Sequence, residues 1–353
     1  MKQKKYNNLT KLVYSFQFKD HRKKTFFEIP AGQYNYHKKN FKNLLDLNYK
    51  EAPLLKILET GCGPGTHAIV LALMGFKEVL AVDKLTSNIK AANLKKKYYK
   101  LKNLSFKTHD FSKIKKISNK KFDLISCHNW LQHTPDPKKI FIRLLKYLKI
   151  GGKIYISTYT SHTFRHYISS ACRKILKDVS FLVFIKNIRK NLSKELEKYE
   201  SHHIRLNNIT DDFYAPYIFT TTYNDMVKLG KTLGLKVISS IPKKINYYNN
   251  DAHQLKVSFI KTKNLKIKDK KNTSFFHKPE TEFNITKIKN RNECNHLLSK
   301  IIKIIHKKNN KNLSIDFALK LYKLRAELHM KNIKFNRYSV LRKKLTQIHN
   351  SFN

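Results

Sequence analysis

A chain of 353 residues, 41% hydrophobic and 12% aromatic, is long enough for one large domain with extensions and apolar enough for a packed core, which excludes a disordered chain. Its formal net charge of +49 favours a polyanion or an anionic membrane as partner, but the lysines come with abundant Asn, Ile, Tyr and Phe and with only 9 Gly and 8 Pro, the mark of A/T-rich coding, so charge alone selects no partner. Four scattered cysteines, Cys62, Cys127, Cys172 and Cys294, form no C-x-x-C pair, which argues against a disulfide framework and a metal site and suits a reducing compartment.

Residues 1–50 are aromatic and basic and end in Tyr36 to Leu45, whose apolar spacing predicts a leader helix that packs beside the main domain. The basic opening, Met1 to Tyr6, runs into mixed polar sequence rather than an apolar run, so no signal peptide is predicted. The longest apolar stretch, Val179 to Ile185, falls well short of the roughly 20 residues a bilayer span needs, and the expected location is the cytoplasm.

From Pro53 onward, short apolar runs alternate with amphipathic segments. Leu54 to Leu58, Val79 to Val82, Leu104 to Phe106, Phe122 to Ser126 and Lys153 to Ser157 are strand-length, and the intervening segments suit helices. This predicts an α/β fold with a doubly wound, mostly parallel sheet. A helical region follows from His162 to about Glu200, then an aromatic loop from Asp211 to Thr222 and a helix from Tyr223 to Leu233 closed by Gly234. Leu235 to Ile241 and Leu255 to Lys261 are expected to form an edge hairpin bearing the antiparallel strand, with Pro242 and Asn249-Asn250-Asp251 as turn residues.

The last third of the chain has no glycine. Cys294 to Ile305 and Phe317 to Leu324 keep apolar residues at helical spacing with lysines opposite, separated by the polar break 307–312. The expected division is therefore a leader and cap at 1–50, a main domain at 51–261 with a helical insertion at about 162–205, and a basic linker (about 262–285) with a helical module to residue 353.

Three of the nine glycines lie between Gly61 and Gly65, directly after an apolar strand and before the apolar-rich segment Ala68 to Leu73. A tight strand-to-helix turn needs positive φ, and backbone that touches a ligand leaves no room for Cβ atoms. The third glycine follows the second by two residues, so G-x-G-x-x-G is not matched and a dinucleotide is disfavoured. Glu59 before the loop suits a cofactor with an amino group and no phosphate.

The run Glu59-Thr60-Gly61-Cys62-Gly63-Pro64-Gly65-Thr66 resembles motif I of the class I S-adenosylmethionine-dependent methyltransferases, E/D-x-G-x-G-x-G. Asp83, ending Leu80-Ala81-Val82-Asp83, is similar to the family's ribose-binding acid, and Asp110 in His109-Asp110-Phe111 to its adenine-binding acid. Phe122-Asp123-Leu124-Ile125 through Trp130-Leu131-Gln132-His133 resembles F-D-x-V…L-x-H, and Leu148-Lys149-Ile150-Gly151-Gly152 the L-K-P-G-G turn, with isoleucine for proline. The likeness is close over about 54–160 and loose over 210–261.

It implies a Rossmann-like sheet, S-adenosylmethionine as cofactor, and cofactor contacts from Glu59, Gly61, Cys62, Gly63, Gly65, Asp83, Lys84, Asp110, Phe111, Cys127 and His128. His128 and His133 are candidate bases for a hydroxyl acceptor, since histidine titrates near neutral pH. Cys127-His128-Asn129-Trp130 departs from the N/D-P-P-Y loop of adenine-N6 and glutamine methylation, and Cys127 follows a serine, unlike a cytosine-5 nucleophile. Phe181-Leu182-Val183-Phe184-Ile185 and the aromatic loop Phe213, Tyr214, Tyr217, Phe219 read as a lid or as core; a lid suits a small quinone-like, lipid-like or sugar-linked acceptor methylated at oxygen. The basic flank Arg189-Lys190 suits loose contact with anionic lipid. Two other readings stay open: an RNA methyltransferase that docks nucleic acid on the basic C-terminal helices, and a non-catalytic methyltransferase-like subunit.

Overall fold

The computed structural model describes residues 8–9, 11–14, 27, 29, 31–47, 49–113, 116–161, 163–191, 206–241, 254–263, 274–278, 291–330 and 337–352. A leader helix α1 (Ala31–Leu45) precedes the alternating series β1 (Lys56–Thr60), α2 (Thr66–Leu73), β2 (Glu78–Asp83), α3 (Thr86–Tyr98), β3 (Leu104–Thr108), β4 (Phe122–His128), α4 (Pro137–Leu144) and β5 (Leu148–Thr160). Helices α5 (Phe164–Ile175), α6 (Phe181–Asn191) and α7 (Leu206–Tyr214) form the insertion, followed by β6 (Thr220–Thr221), α8 (Tyr223–Thr232), β7 (Leu235–Ile241) and β8 (Gln254–Lys261). Helices α9 (Arg291–Lys307), α10 (Lys311–Met330) and α11 (Arg337–Asn350) end the chain.

The eight strands run in the order β3-β2-β1-β4-β5-β8-β7, with β6 paired to the end of β5. Strands β1 to β6 pair in parallel, and only β8 runs against its neighbours. The expected edge hairpin is present; its antiparallel member lies one place in, with β7 outside it. Thr60 sits level with Val82 and Cys127 across the sheet, so the carboxyl ends of β1, β2 and β4 open together. The strand order reverses between β1 and β4, where an open α/β sheet leaves a crevice.

Each face of the sheet is buried against helices. Phe41 and Leu44 of α1 pack with Ile69 and Val70 of α2 on one side, and Phe141 and Leu144 of α4 with Met226 and Leu229 of α8 on the other. The Lys153 ammonium donates to the Leu45 carbonyl at 2.7 Å and caps the end of the leader helix.

The insertion and the C-terminal helices, expected as separate pieces, share a third core. Ile168 and Cys172 of α5, Phe184 of α6 and Phe213 of α7 bury with Ile301 of α9, Ala318 and Tyr322 of α10 and Leu341 of α11. Each of these helices has one apolar stripe, and the stripes cover one another because the sheet faces are already occupied. Phe181, Phe184 and Ile185 belong to this core, which leaves only Leu182 and Val183 of that run exposed. The expected aromatic loop is helical up to Tyr214.

The 262–285 segment is more than a linker. Within it Phe275 and Phe276 are buried beside α4 and α8, and His277 forms an antiparallel bridge to Thr220 and meets the Asp225 carboxylate at 3.1 Å. Pro242, Asn249 to Asp251, the insertion end at 192–205 and most of that linker lie outside the described residues, as do the side chains of Arg189 and Lys190. Among the described residues no helix is long and apolar enough to cross a membrane.

Candidate active site

At the crevice lies a cleft of about 220 Å³. One wall comes from the β1–α2 loop. Gly61 has φ +65°, and a Cβ there would fall 2.2 Å from Trp130 Cγ, so the indole lies directly on glycine backbone. The Trp130 N–H donates to Thr60 Oγ1 at 2.8 Å, and Thr60 in turn donates to the Ser126 carbonyl at 2.9 Å, which pins the ring across the ends of β1 and β4. Phe111 tilts toward it with centroids 5.7 Å apart.

Two carboxylates stand on adjoining strand ends of the same cleft. Asp83 accepts from the Gly63 N–H at 2.9 Å and the Leu85 N–H at 2.8 Å. Burial raises its pKa, against the pull of those donors. Burial also acts to raise Asp110, but the Ser112 hydroxyl and N–H and the Lys84 ammonium at 3.4 Å outweigh it and hold that carboxyl below its ordinary value.

Beyond the loop the cleft is bounded by Tyr14, Asn129, His133, Asp211 and Tyr217. His133 Nδ1 lies 3.1 Å from the Tyr217 carbonyl. A carbonyl only accepts, so Nδ1 is the donor and carries a proton. Tyr14 and Tyr159 meet the imidazole edge-on, at 5.9 and 5.3 Å. Asn129 adopts φ +56°, rare for a residue with a Cβ, with its N–H bonded to the Ser157 carbonyl at 3.0 Å.

The structure thus brings Gly61, Gly63, Asp83, Lys84, Asp110, Phe111 and His133 together around the cleft. Other predicted residues sit elsewhere, each for a packing reason. Gly65 turns at φ +84°, and a Cβ there would meet Ala92 and Phe106 at 2.8 Å, so it serves the fit of α3 and β3. Cys62 and Cys127 are buried in the two sheet cores, and burial pushes both thiols up. Glu59 is 1% exposed and pairs with His67 Nδ1 at 2.7 Å, inside the face covered by α1 and α2. His128 lies on that face too, against His37, His67 and Tyr155; burial, then the neighbouring imidazoles, lowers its pKa well below that of a free histidine. A ring held neutral behind the sheet and outside the cleft is not placed to act as base, so of the two candidate histidines only His133 reaches the site. Helix α6, read as a lid, lines no part of the cleft, and of the loop's aromatic side chains Phe213, Tyr214, Tyr217 and Phe219 only Tyr217 does.

Tyr14, Asn129 and Asp211 went unread as site residues. Tyr14 reaches His133 from more than a hundred residues away, and no local pattern signals that.

The cleft suits a nucleoside with free hydroxyls and a cationic tail better than a diphosphate. Asp83 and Asp110 repel phosphate, while a carboxylate accepts from hydroxyls and the Trp130 face attracts cations.

A family model described as a methyltransferase domain matches residues 52–211. The ubiquinone biosynthesis O-methyltransferase of Rickettsia typhi is 27% identical over 208 residues, which cover 58% of this chain and 80% of that protein. Its namesake from Rickettsia prowazekii is 33% identical over 112 residues, 31% of this chain and 42% of the relative. Apart from the R. typhi protein, such curated relatives are matched over less than half their length. The solved structure of PKMT2 from Rickettsia typhi superposes with a TM-score of 0.47 at 16% identity, covering 64% of this chain and 52% of that one. Residues 52–211 thus form a methyltransferase domain of the class I, S-adenosylmethionine-dependent kind.

Proposed function

We propose that this chain transfers the methyl group of S-adenosylmethionine to a hydroxyl oxygen of a small, quinone-like aromatic acceptor. The observation that carries the proposal is the anchoring of His133 at the cleft: its Nδ1 donates to the Tyr217 carbonyl, so Nε2 is the nitrogen that can serve as a base. A phenol ionises near pH 10, so its oxygen becomes a competent nucleophile at neutral pH only when a base takes the proton. The names of the relatives support an oxygen acceptor.

When bound, the cofactor supplies an electrophilic methyl group on sulfur. Asp83 would hold its ribose hydroxyls, Asp110 its adenine, and the backbone of Gly61 and Gly63 its amino acid end. Trp130 and Phe111 exclude water from that half of the cleft, and His133 Nε2 removes the acceptor's proton. The C-terminal helices spend their apolar faces on the insertion helices, which favours a structural part for them over RNA docking. Four free, buried cysteines suit the reducing cytoplasm.

Incubation with methyl-labelled S-adenosylmethionine and 3,4-dihydroxybenzoate should give a labelled methyl ether. Label found only in added RNA or protein would overturn the proposal. Asp83→Ala removes a charge-assisted contact of about 1.5–3 kcal/mol and should weaken cofactor binding roughly 10- to 150-fold by calorimetry. Wild-type affinity in that variant would take Asp83 out of the cofactor site.

A further inference from the structure

Helix α7 carries two adjacent aspartates with different surroundings. Asp211 borders the cleft, whereas Asp212, about 100° further round the helix, is fully buried and lines no part of it. There Arg165 of α5 forks onto it, Nε to Oδ2 and Nη2 to Oδ1, both at 3.2 Å. From α10 the Tyr322 hydroxyl donates to Oδ2 at 2.7 Å, and the Arg325 guanidinium stands 3.9 Å from the same oxygen and over the Tyr322 ring. Burial alone would neutralise the Asp212 carboxyl, yet the two arginines and the tyrosine hold it ionised, with a pKa of about 2.

The network continues toward the cleft. Arg165 lies over the face of Tyr159, 5.9 Å from its centroid, and Tyr159 meets the His133 ring edge-on. Arg173, also on α5, donates to the Ala215 carbonyl at 2.9 Å, two residues before Tyr217, whose carbonyl fixes His133. Asp212, Arg165, Tyr322 and Arg325 do not themselves line the cleft. Breaking a buried ionic cluster at one partner is costly, so such a cluster allows one arrangement of the helices that share it.

We propose that the C-terminal helices are part of the acceptor site: Tyr322 and Arg325 are positioning residues that, through Asp212 and Arg165, hold Asp211, Tyr217 and His133 at the cleft. This rests on the assignment of the acceptor to that end of the cleft. The helices act from behind the wall, so they set acceptor affinity and base alignment and leave the cofactor half, built by β1, β2 and β3, untouched.

The test uses the full chain with Tyr322→Phe, which keeps the buried ring and removes only the hydroxyl, and with Arg325→Gln and Arg325→Lys. In Tyr322→Phe and Arg325→Gln, amide hydrogen exchange should quicken at 209–217 and 131–134 and stay unchanged at 60–66 and 83–88. The KM for 3,4-dihydroxybenzoate should rise on the order of tenfold with the S-adenosylmethionine KM unchanged, and Arg325→Lys should recover most of the loss. Unchanged exchange at 209–217, or an acceptor KM equal to wild type in variants of lowered Tm, would overturn the proposal. Failure of the wild-type chain to methylate the catechol, with the exchange result as expected, would instead reject that acceptor and leave the positioning role standing.

Discussion

Replacing His133 with glutamine should lower kcat for a phenolic acceptor by roughly 10²- to 10⁴-fold while leaving S-adenosylmethionine affinity as it was. Glutamine can still donate an N–H to the Tyr217 carbonyl, which His133 Nδ1 now meets at 3.1 Å, so the wall keeps its anchor. It has no lone pair basic enough to take a phenol proton. The decisive measurement is the rate as pH is raised toward the ionisation of the acceptor itself, near 10 for a phenol. An acceptor already ionised in solution needs no base, so the variant should recover most of its deficit there. A deficit that persists at high pH would mean that His133 serves the shape of the cleft through its contacts with Tyr14 and Tyr159. An unchanged kcat at pH 7 would remove it from the chemistry altogether.

The legible parts of this site were those that local geometry dictates. The turn at Gly61 and Gly63 announces itself because only closely spaced glycines let backbone approach a ligand there, and Asp83 and Asp110 follow because parallel strands deliver their carboxyl ends to one rim. Position along the chain does not say which face a side chain takes. Ile125 and Cys127 fall on the face under α4, so by the alternation of β4 His128 falls with Leu124 on the face under α1. The pattern of two is visible in the sequence, but which helix covers which face is a tertiary fact. Gly65 illustrates the complement, since its place in the motif suggests a ligand and its surroundings show the crowding of Ala92 and Phe106. The helical stripes at 294–305 and 317–324 were equally plain, yet their partners, α5 to α7, are set by the sheet having no free face left, which no stripe records.

Acidification should destabilise the fold well before its carboxylates titrate, and the cause lies beneath α1. His37 of that helix is 7% exposed, with its ring 4.2 Å from His67, and burial, then the His67 and Lys256 charges, lowers its pKa to about 2. His128 is lowered in the same way. The groups facing them are Glu59, already paired with His67, together with Tyr36, Tyr155 and Lys256. No free carboxylate among these awaits a protonated ring. The folded chain refuses protons that the unfolded chain accepts below about pH 6.5, so stability is full above that pH and falls as pH drops toward 2. The His37 ring costs about 1.4 kcal/mol per pH unit in that window, and His128 acts in the same direction, against a total of typically 5–15 kcal/mol. Asp212, held at about 2, adds its own loss only below the ordinary carboxylate range. Urea unfolding at pH 7.5, 6.5 and 5.5 should show this decline, and His37→Phe should make it shallower. A stability that stays level from pH 7.5 to 5.5 would mean that the histidine cluster admits protons without moving α1.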